Sequence, residues 1–330
     1  MGIPLISIVI PVYNGEEFIN NVYHSITQQN YKNIEIIFVN NNSTDNSVKI
    51  IEKLKKADNR ISVYHEKNQG AAAARNKGVK RSKSNLITFF DVDDEYSLDR
   101  ISSLANVLIS DNSIGMVFGK VIAHYKDGRK YIPNYNHLKP GINDPLKLAV
   151  KFLHLSTAIG AQTIMCRKDA FESVGGFETD MLIGEDLSFA FKMVLQHTTF
   201  FLPKTIVRYN RHSKSTMSLF KVNNPSVNYY YQQHKTFYLP YITKNRFFLL
   251  SKKLKIIYNY CLKGLIIQSR ILPIFRKDKI FFIIKEYAYL KRFGFSSLTF
   301  PLVIFSTFSS ETKYKLILKI LSKYSAMAYK

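Results

Sequence analysis

The first 110 residues alternate short β-branched apolar runs with amphipathic helical segments, and this alternation constrains the fold more than any other feature. The runs have the length of buried strands, and the segments between them place apolar residues at helical spacing. Strands that alternate with helices in this way favour a parallel sheet with helices on its faces. The sequence therefore predicts an α/β fold, with strands at residues 6–12, 34–39, 61–65 and 86–90.

Polar turns follow these predicted strands. Tyr13 follows the first strand, the asparagine turn 40–42 follows the second, and Asp91 and Asp93 follow the fourth. In open α/β sheets, ligands bind beyond the carboxyl ends of the strands, near the point where the strand order reverses. We therefore expect the three turns to meet at one rim, where a nucleotide-shaped ligand could contact all of them.

Asp91, Asp93 and Asp94 form a cluster of carboxylates directly after a predicted buried strand. Like charges this close repel and raise one another's pKa unless a cation lies between them, and a divalent metal bound through oxygen is the usual solution. A metal held by one or two carboxylates can also bind phosphate oxygens, which makes residues 91–93 the candidate centre of a metal–diphosphate site. The simpler interpretation is a turn before a helix that is capped by Ser97.

Two stretches farther along the chain carry candidate functional groups. Glu185 and Asp186 open a predicted helix, where acidic side chains are often present only because the helix dipole favours them. His212, between Arg211 and Lys214, lies in a basic loop and could bind phosphate or metal, although a lone loop histidine is usually just solvated.

The bulk composition is that of a globular protein. The chain has 330 residues, and its hydrophobic content of 46% excludes wholesale disorder. Two cysteines in unrelated contexts indicate a reducing compartment and favour neither a disulfide framework nor a zinc site. The amino terminus lacks a basic segment and is interrupted by Pro4 and Pro11, and no stretch reaches the roughly 18 apolar residues of a membrane span. We therefore expect a cytoplasmic protein.

The net charge of +23 is concentrated at the carboxyl end. Residues 244–330 contain 18 lysines and arginines against three acidic residues, a net charge of +15. Helical runs in this part place aromatic residues beside lysines, as helices at a membrane interface do, although helices that pack on the main domain or on a second subunit would look similar. The sequence predicts a domain at 1–222 and a helical, basic and aromatic region at 223–330, which we expect to meet an anionic membrane or to form an oligomer.

Seven spaced motifs carry a family resemblance that covers roughly residues 5–218. They are SIVIPVYNGEEFI, EIIFVNNNSTDNS, NQGAAAARNKG, FFDVDD, GGF, GEDLSFAFK and YNRHSKS. In order and approximate spacing they resemble the family-2 glycosyltransferases of GT-A fold, of the bacterial type that builds polysaccharides or lipid-linked saccharides. The resemblance implies a Rossmann-like, mostly parallel sheet with flanking helices. It also implies an inverting transfer of a sugar from a nucleotide diphosphate to a hydroxyl of a saccharide, here expected to be lipid-linked.

The same resemblance implies roles for individual residues. Asp186 would be the general base that removes the acceptor's proton, and Asp93 would bind Mn²⁺ or Mg²⁺ together with His212. Asp91 would contact the ribose, and Arg75 would lie near the base or the diphosphate. The remaining donor-binding residues would be Pro11 and Tyr13 beside the base, and Arg211 and Lys214 in the loop that closes over the diphosphate.

One position departs from the family pattern. The family has an aspartate pair whose second member accepts a hydrogen bond from the uracil ring, and this chain has Asn40 and Asn41 there. The amide oxygen of Asn41 can still accept that bond, so a UDP-sugar is the expected donor. Asp45 matches a later aspartate of the same turn.

Two alternatives differ in class from a glycosyltransferase. A nucleotidyltransferase that forms nucleotide sugars would carry a basic, glycine-rich loop after the first strand, where this chain has the acidic VYNGEEF. A non-catalytic basic protein that binds membrane or nucleic acid would use the charge alone. The charge lies away from the predicted rim and no nucleic-acid motif is recognisable, so no nucleic-acid partner is expected.

Overall fold

The structure is a computed structural model that describes residues 2–211, apart from 126, 154–158 and 182, together with residues 237 and 241. His212 and Lys214 lie outside the described residues, as does the predicted carboxyl-terminal region except for residues 237 and 241. The predicted boundary at residue 222 stays a prediction. Within the described part, no helix is long and apolar enough to cross a membrane.

Strands and helices alternate along the first half of the described chain, as the sequence predicts. The strands are β1 (Ile6–Val12), β2 (Ile34–Asn40), β3 (Ile61–His65), β4 (Leu86–Phe89), β5 (Glu95–Tyr96), β6 (Ile114–Tyr125), β7 (Lys130–Tyr131), β8 (Gly141–Ile142), β9 (Ile164–Arg167) and β10 (Thr198–Arg211). The helices are α1 (Ile19–Thr27), α2 (Ser47–Ala57), α3 (Ala71–Arg81), α4 (Arg100–Ser110), α5 (Pro145–Leu153), α6 (Lys168–Ser173) and α7 (Glu185–Gln196), with a short 3₁₀ helix at Ala161–Thr163.

All the strands belong to one sheet with the order β3-β2-β1-β4-β9-β6-β10-β5, in which β7 pairs with β6 and β8 with β10. The first four strands are parallel, and β6 is parallel to β10. β9 runs antiparallel to both of its neighbours, and β5 is antiparallel to β10. The predicted α/β fold of the GT-A type, with a mostly parallel central sheet and flanking helices, is confirmed. From β1 the chain continues to β2 on one side, whereas β4 pairs with β1 on the other side. The strand order therefore reverses at β1.

The strands of the parallel half are buried on both faces. In β1, Ile8 and Ile10 are fully buried in the main core cluster with residues of α1, while Val9 points to the opposite face because successive side chains alternate. There α3 lies close against the strand: a Cβ at Gly78 would come within 2.3 Å of Cγ1 of Val9. The alanine-rich sequence of α3 therefore permits a helix close enough to the sheet to hold Arg75 beneath the rim.

The helix after the aspartate cluster begins later than the cap interpretation requires. α4 starts at Arg100, its N-cap residue is Asp99, and no side chain caps it. Ser97 contributes its carbonyl, which accepts a hydrogen bond from the N–H of Arg100 at 3.0 Å. The interpretation of Ser97 as a helix cap is therefore wrong.

Candidate active site

Three turns meet at one edge of the sheet. Val12 at the end of β1 is level with Asn40 at the end of β2, and the N–H of Asn41 donates to the carbonyl of Val12 at 2.8 Å. On the other side of β1, the N–H of Phe90 donates to the carbonyl of Val9 at 3.1 Å, so the chain of Asp91 leaves the sheet at the same rim. The convergence predicted from the strand pattern is present.

The turns after β1 and β2 are joined by reciprocal hydrogen bonds. Asn14, which has a left-handed φ of 47°, donates its N–H to Oγ of Ser43 at 3.1 Å and accepts the N–H of Thr44 at 2.8 Å. Oδ2 of Asp45 accepts the N–H of Glu16 at 3.0 Å, and Oε2 of Glu16 accepts the N–H of Asn46 at 2.9 Å. Asp45 therefore contributes to the architecture of the rim.

Pro11 and Tyr13 differ in how accessible they are. Pro11 lies within β1 opposite Val39 and is partly buried. Tyr13 is 57% exposed, so its ring offers a surface on which a flat ligand can stack. Their contact with a nucleotide base stays a prediction.

Arg75 on α3 connects two of the predicted motifs. Its Nη2 donates to Oδ1 of Asp91 at 2.8 Å, and its Nη1 donates to Oε1 of Glu185 at 2.9 Å. Arg75 is only 5% exposed, and its guanidinium lies over the ring of Phe177 at 5.5 Å. Burial alone would lower the pKa of Arg75, but the two carboxylates outweigh it and raise the pKa, so the side chain stays charged. The rigid fork of an arginine can span two carboxylates in this way.

The aspartate cluster is held from the side of β10. Asn210 donates its N–H to Oδ1 of Asp94 at 3.2 Å and its Nδ2 to the carbonyl of Asp93 at 3.1 Å. Nδ2 also donates to Oε1 of Glu95 at 3.2 Å. Because Asn210 precedes His212 by two residues, these bonds connect the aspartate cluster to the strand that leads into the predicted closing loop.

A buried cation lies beneath the aspartate cluster. Arg100 is fully buried and donates to the carbonyls of Gln162 and Phe89 and to the hydroxyl of Thr88. Its guanidinium stacks on the ring of Phe90 at 4.3 Å. Burial lowers the pKa of Arg100 to about 10, which still leaves it charged at neutral pH. A buried positive charge beside several carboxylates offsets part of their repulsion.

Asp94 is the buried member of the aspartate cluster. It is 5% exposed, and burial together with the nearby Asp91 and Asp93 raises its pKa well above the usual carboxyl range. Its Oδ2 has no hydrogen-bond partner in the described part of the chain. The raised pKa favours the protonated, neutral form of Asp94, and a cation bound nearby would favour the charged form instead.

Asp186 lies in the first turn of α7, beside the Arg75 bridge. α7 begins after Gly184, whose left-handed φ of 89° suits glycine, and Oδ1 of Asp186 accepts the N–H of Leu187 at 2.7 Å. Burial, and then the carboxylate of Glu185, raises the pKa of Asp186 to about 7 against the opposing effect of Arg75. The side chain nevertheless keeps a partial opening to solvent. A partly accessible carboxyl with a pKa near neutrality has the properties of a general base.

The GGF motif, residues 175–177, connects the two helices that carry Arg75 and Asp186. Asn76 on α3 both donates to the carbonyl of Phe177 at 2.8 Å and accepts its N–H at 3.0 Å. Lys192 on α7 is almost fully buried and donates to the carbonyl of Gly176 at 2.7 Å and to Oε1 of Glu178 at 2.9 Å. The turn therefore ties α3, which carries Arg75, to α7, which carries Asp186.

The aspartate cluster fits a hard divalent cation in the chemistry of its donors. Carboxylate oxygens are the ligands that Mg²⁺ and Mn²⁺ prefer, and Asp91 and Asp93 are both partly exposed. Among the described residues, no group of three or more histidine, cysteine or acidic side chains is arranged to hold a metal. The predicted partner His212 lies outside the described residues.

The structure brings together Arg75, Asp91, Glu185 and Asp186, of which three are predicted site residues, while Asp93 follows in the same turn. Asn41 lies at the rim but is buried. Arg211 ends β10, so its backbone is close to the cluster through Asn210. Four residues that organise the site were not predicted from the sequence in these roles: Tyr96, Arg100, Asn210, and Glu185 as the partner of Arg75. The burial of Arg100 could have been predicted, because helical spacing places it on the same face as the apolar residues Ile101, Leu104 and Leu108. No feature of the sequence marks Asn210.

Comparison with known proteins agrees with this geometry. A sequence model described as "Glycosyl transferase family 2" matches residues 7–175. The uncharacterized glycosyltransferase EpsJ of Bacillus subtilis is 33% identical over 195 residues, which covers 57% of this chain and 54% of EpsJ. The putative teichuronic acid biosynthesis glycosyltransferase TuaG of the same organism is 30% identical over 167 residues, which covers 50% of this chain and 63% of TuaG. The chain thus spans about half to two thirds of the length of these relatives.

Solved structures of similar fold include those of TarS of S. aureus. The crystal structure of TarS 1-349 in complex with UDP matches with a TM-score of 0.54 and 18% identity, and covers 80% of this chain and 81% of that chain. The same protein in complex with UDP-GlcNAc matches with a TM-score of 0.54 and 16% identity. At this level of identity, the likeness establishes the shared fold.

Proposed function

The chain belongs to glycosyl transferase family 2, and from that premise we propose that it is a metal-dependent, inverting enzyme that transfers a sugar from a UDP-sugar to a hydroxyl of a lipid-linked saccharide. Glycosyltransferase activity follows from the family. The donor, the metal, the stereochemistry and the acceptor are the content of the proposal.

The observation that carries the proposal is the bridge made by Arg75. Asp91 and Glu185 are 94 residues apart in the chain, yet one guanidinium holds both at 2.8 and 2.9 Å. The aspartate cluster and the start of α7 therefore lie side by side at one rim. A donor whose diphosphate lies at the aspartates would present its sugar toward Asp186, which is the arrangement that transfer requires.

In the proposed reaction, Asp186 acts as general base. The acceptor hydroxyl attacks the anomeric carbon while its proton passes to Asp186, and the bond from that carbon to the diphosphate oxygen breaks on the opposite face. The anomeric configuration inverts, and no covalent enzyme intermediate is needed. A pKa of about 7 lets Asp186 accept a proton near neutrality and release it after each turnover.

The proposed donor site uses the rim between β1 and β4. Tyr13 and Pro11 would border the base, and Asp91, oriented by Arg75, would contact the ribose. The fold shared with TarS, whose structures contain UDP and UDP-GlcNAc, supports a nucleotide sugar as donor. Arg211 and Lys214 would contact the diphosphate.

The proposed metal ligands are Asp93 and His212, with the donor's phosphate oxygens as further ligands. When bound, Mn²⁺ or Mg²⁺ would neutralise the charge that develops on the departing diphosphate. Residues of the chain itself would prepare the aspartate cluster for a cation. Asn210 holds the backbone carbonyl of Asp93, and the positive charge of Arg100 reduces the repulsion between the carboxylates.

The proposed acceptor is a lipid-linked saccharide in surface polysaccharide or glycoconjugate biosynthesis, on the cytoplasmic face of a membrane. The relative TuaG is named for teichuronic acid biosynthesis, and residues 244–330 carry a net charge of +15. Basic residues contribute about 1 kcal/mol each near an anionic lipid surface, so a few of them would hold the protein there reversibly. A wash in high salt should release the protein from membranes, and full retention would contradict this part of the proposal.

The test of the catalytic proposal is a transfer assay with UDP-sugars, Mn²⁺ and a bacterial lipid-linked saccharide extract, in which UDP release is followed. Asp186→Asn keeps the shape of the side chain but removes the base, and should reduce the acceptor-dependent rate by about 10²–10⁴-fold. Asp180→Asn, on an exposed acid before α7, is the matched control and should retain the rate. Equal rates in the two variants would exclude Asp186 as the base.

A further inference from the structure

The side-chain amide of Asn41 makes hydrogen bonds to the backbone of loop 66–70. Its Nδ2 donates to the carbonyl of Glu66 at 2.9 Å and to that of Asn68 at 2.7 Å, and its Oδ1 accepts the N–H of Gly70 at 2.6 Å. All three partners are backbone groups whose donor or acceptor role is fixed. The orientation of the amide therefore follows from its partners and leaves no choice between oxygen and nitrogen.

The side chain is also closed off from the rim. Asn41 is only 2% exposed. Both N–H groups of the amide are used, and its oxygen already accepts one short hydrogen bond. A ligand's ring N–H would have to reach an oxygen that is both enclosed and engaged, which is unfavourable without a rearrangement of the loop.

An ionised aspartate would be a poor replacement for this amide. An ionised carboxylate has no donors, so the carbonyls of Glu66 and Asn68 would each lose a partner and face a negative oxygen at less than 3 Å. The departure from the family's aspartate is therefore matched by a loop that needs an amide. The adjacent Asn42 also donates to a backbone carbonyl of this loop, because its Nδ2 bonds to the carbonyl of Lys67 at 2.9 Å.

The anchored loop leads directly into the helix that carries the Arg75 bridge. Gly70, at the end of the loop, has a φ of 130° and is the N-cap residue of α3, and its carbonyl accepts the N–H of Ala74 at 3.2 Å. Arg75 directly follows Ala74 in the first turns of this helix. Fixing the N–H of Gly70 therefore fixes the start of α3 relative to the turn after β2.

We propose that Asn41 is a positioning residue that holds loop 66–70 and the start of α3, and that it does not recognise the nucleotide base. The proposal deepens the proposed function and rests on it, because residue 41 lies at the rim where the donor is proposed to bind. Selectivity among pyrimidine nucleotides should then be independent of the acceptor capacity of residue 41.

The first test measures stability with Asn41→Asp. The variant should unfold at a lower temperature than wild type, and its deficit should depend on pH. Because the enclosed carboxylate faces carbonyl oxygens, its folded-state pKa should lie above the unfolded value of about 3.9. The deficit is then largest at pH 8 and narrows toward pH 5, as the folded variant takes up a proton that restores one donor. The deficit is taken as the difference in unfolding temperature from wild type at each pH. This difference removes the contribution of ionisable neighbours that both proteins share, such as His65 and Glu66.

Asn68→Asp is the control for charge. It introduces the same negative charge on an exposed side chain of the same loop and should show little deficit at any pH. Asn41→Ser is a second variant that keeps one donor and one acceptor without a charge. It should fall between wild type and Asn41→Asp, and it remains available for binding measurements if Asn41→Asp folds poorly.

The second test compares UDP with CDP in the presence of Mn²⁺, by calorimetric titration. Uracil has a ring N–H where cytosine has an acceptor, so a base-reading carboxylate would raise the preference for UDP by roughly ten- to a hundredfold, as expected for a hydrogen bond to a charged group. The positioning role predicts that Asn41→Asp and Asn41→Ser weaken both nucleotides alike and leave the UDP to CDP ratio at the wild-type value. A higher ratio in Asn41→Asp would overturn the proposal.

The two arms separate this proposal from the proposed function. If wild type binds neither nucleotide, the donor assignment fails, while the stability arm and hydrogen exchange of residues 66–72 still decide the role of Asn41. Slow exchange at the amide of Gly70, lost in Asn41→Ser, supports the anchor. Unchanged exchange together with an unchanged unfolding temperature in Asn41→Asp would overturn it.

Discussion

Tyr96 holds both backbone groups of Asp91 with a single hydroxyl. Oη of Tyr96 accepts the N–H of Asp91 at 2.7 Å and donates to its carbonyl at 3.1 Å. The ring is buried and packs on Phe90 with centroids 4.0 Å apart. The backbone at the start of the aspartate cluster is therefore fixed by a residue of β5, five positions farther along the chain.

Tyr96→Phe removes these two hydrogen bonds and keeps the shape of the ring. Because a partly buried N–H and a partly buried carbonyl lose their partner, the free energy of unfolding should fall by about 1 kcal/mol. The backbone at Asp91 should also become less ordered, so the KM for the donor should rise more than kcat falls. Denaturant unfolding and steady-state kinetics measure the two effects.

Tyr23→Phe is the matched control. It also deletes one phenolic hydrogen bond, to Oδ2 of Asp58 at 3.0 Å, but between α1 and the end of α2. We expect it to lower stability and leave the KM unchanged. If both variants changed the KM equally, the contact between Tyr96 and Asp91 would have no specific role in donor binding.

Arg75→Lys keeps the positive charge and loses the fork. A lysine ammonium is a point charge that cannot span Asp91 and Glu185 together, so one partly buried carboxylate loses its partner. Breaking a buried ion pair costs on the order of 3 kcal/mol, and kcat/KM should fall with it because the two motifs are no longer held together. Arg60→Lys, at the partly exposed pair with Asp58, is the control and should retain activity. Full activity in Arg75→Lys would contradict the bridging role.

The pH dependence of kcat should report the ionisation of Asp186. The base must be deprotonated, so the rate should rise with pH through about 7. Since the Glu185 carboxylate raises the pKa of Asp186, Glu185→Gln should move this rise to lower pH. A rise that stays at the same pH in Glu185→Gln would show that another group limits the rate.

The same shift in pKa has a consequence for stability. The pKa of Asp186 is raised in the folded protein above the unfolded value of about 3.9, so its contribution to stability is fully present below that value and is lost as the pH rises through about 7. Asp186→Asn should therefore be more stable than wild type at pH 8, with the difference narrowing toward pH 4. Thermal unfolding across this range measures it.

Asn210→Ala tests the connection between β10 and the aspartate cluster. The variant loses the hydrogen bonds from Nδ2 to Asp93 and Glu95, so the Mn²⁺ concentration that gives half-maximal UDP binding should rise. Arg208→Ala, on the same strand, breaks only an exposed ion pair with Glu95 and serves as control, since such pairs contribute about 0–1 kcal/mol. An equal change in both variants would show that Glu95 alone matters.

The parallel half of the fold was predictable because its rules are local. β-branched runs such as that of β1 and turn residues such as Asn14 specify strands and their ends without reference to distant parts of the chain. The other half was less accessible. β9 inserts antiparallel between β4 and β6, and its pairing depends on contacts between residues up to about 80 positions apart, which periodicity does not encode.

Some residues of the candidate site could likewise be predicted from the sequence, and others could not. Asp91, Asp93 and Asp186 stand out as charges at the ends of predicted elements. Tyr96 and Asn210 act through single hydrogen bonds to the backbone, and a hydroxyl or an amide at these positions looks like any other in the sequence. The departure at Asn41 is visible in the sequence, whereas the three backbone groups that its amide contacts are seen only in the structure.

The central claim is that the rim bearing Asp91, Asp93 and Asp186 binds a uridine nucleotide through a metal. The most direct test is the thermal unfolding of the full chain with UDP, with and without Mn²⁺, for wild type, Asp93→Ala and the control Asp180→Asn. At a hundredfold excess over its Kd, a ligand stabilises by about 2.7 kcal/mol, which shifts the midpoint by several degrees. We predict a shift that requires Mn²⁺, persists in Asp180→Asn and is lost in Asp93→Ala. A shift of the same size in Asp93→Ala, or none in wild type, would contradict the claim.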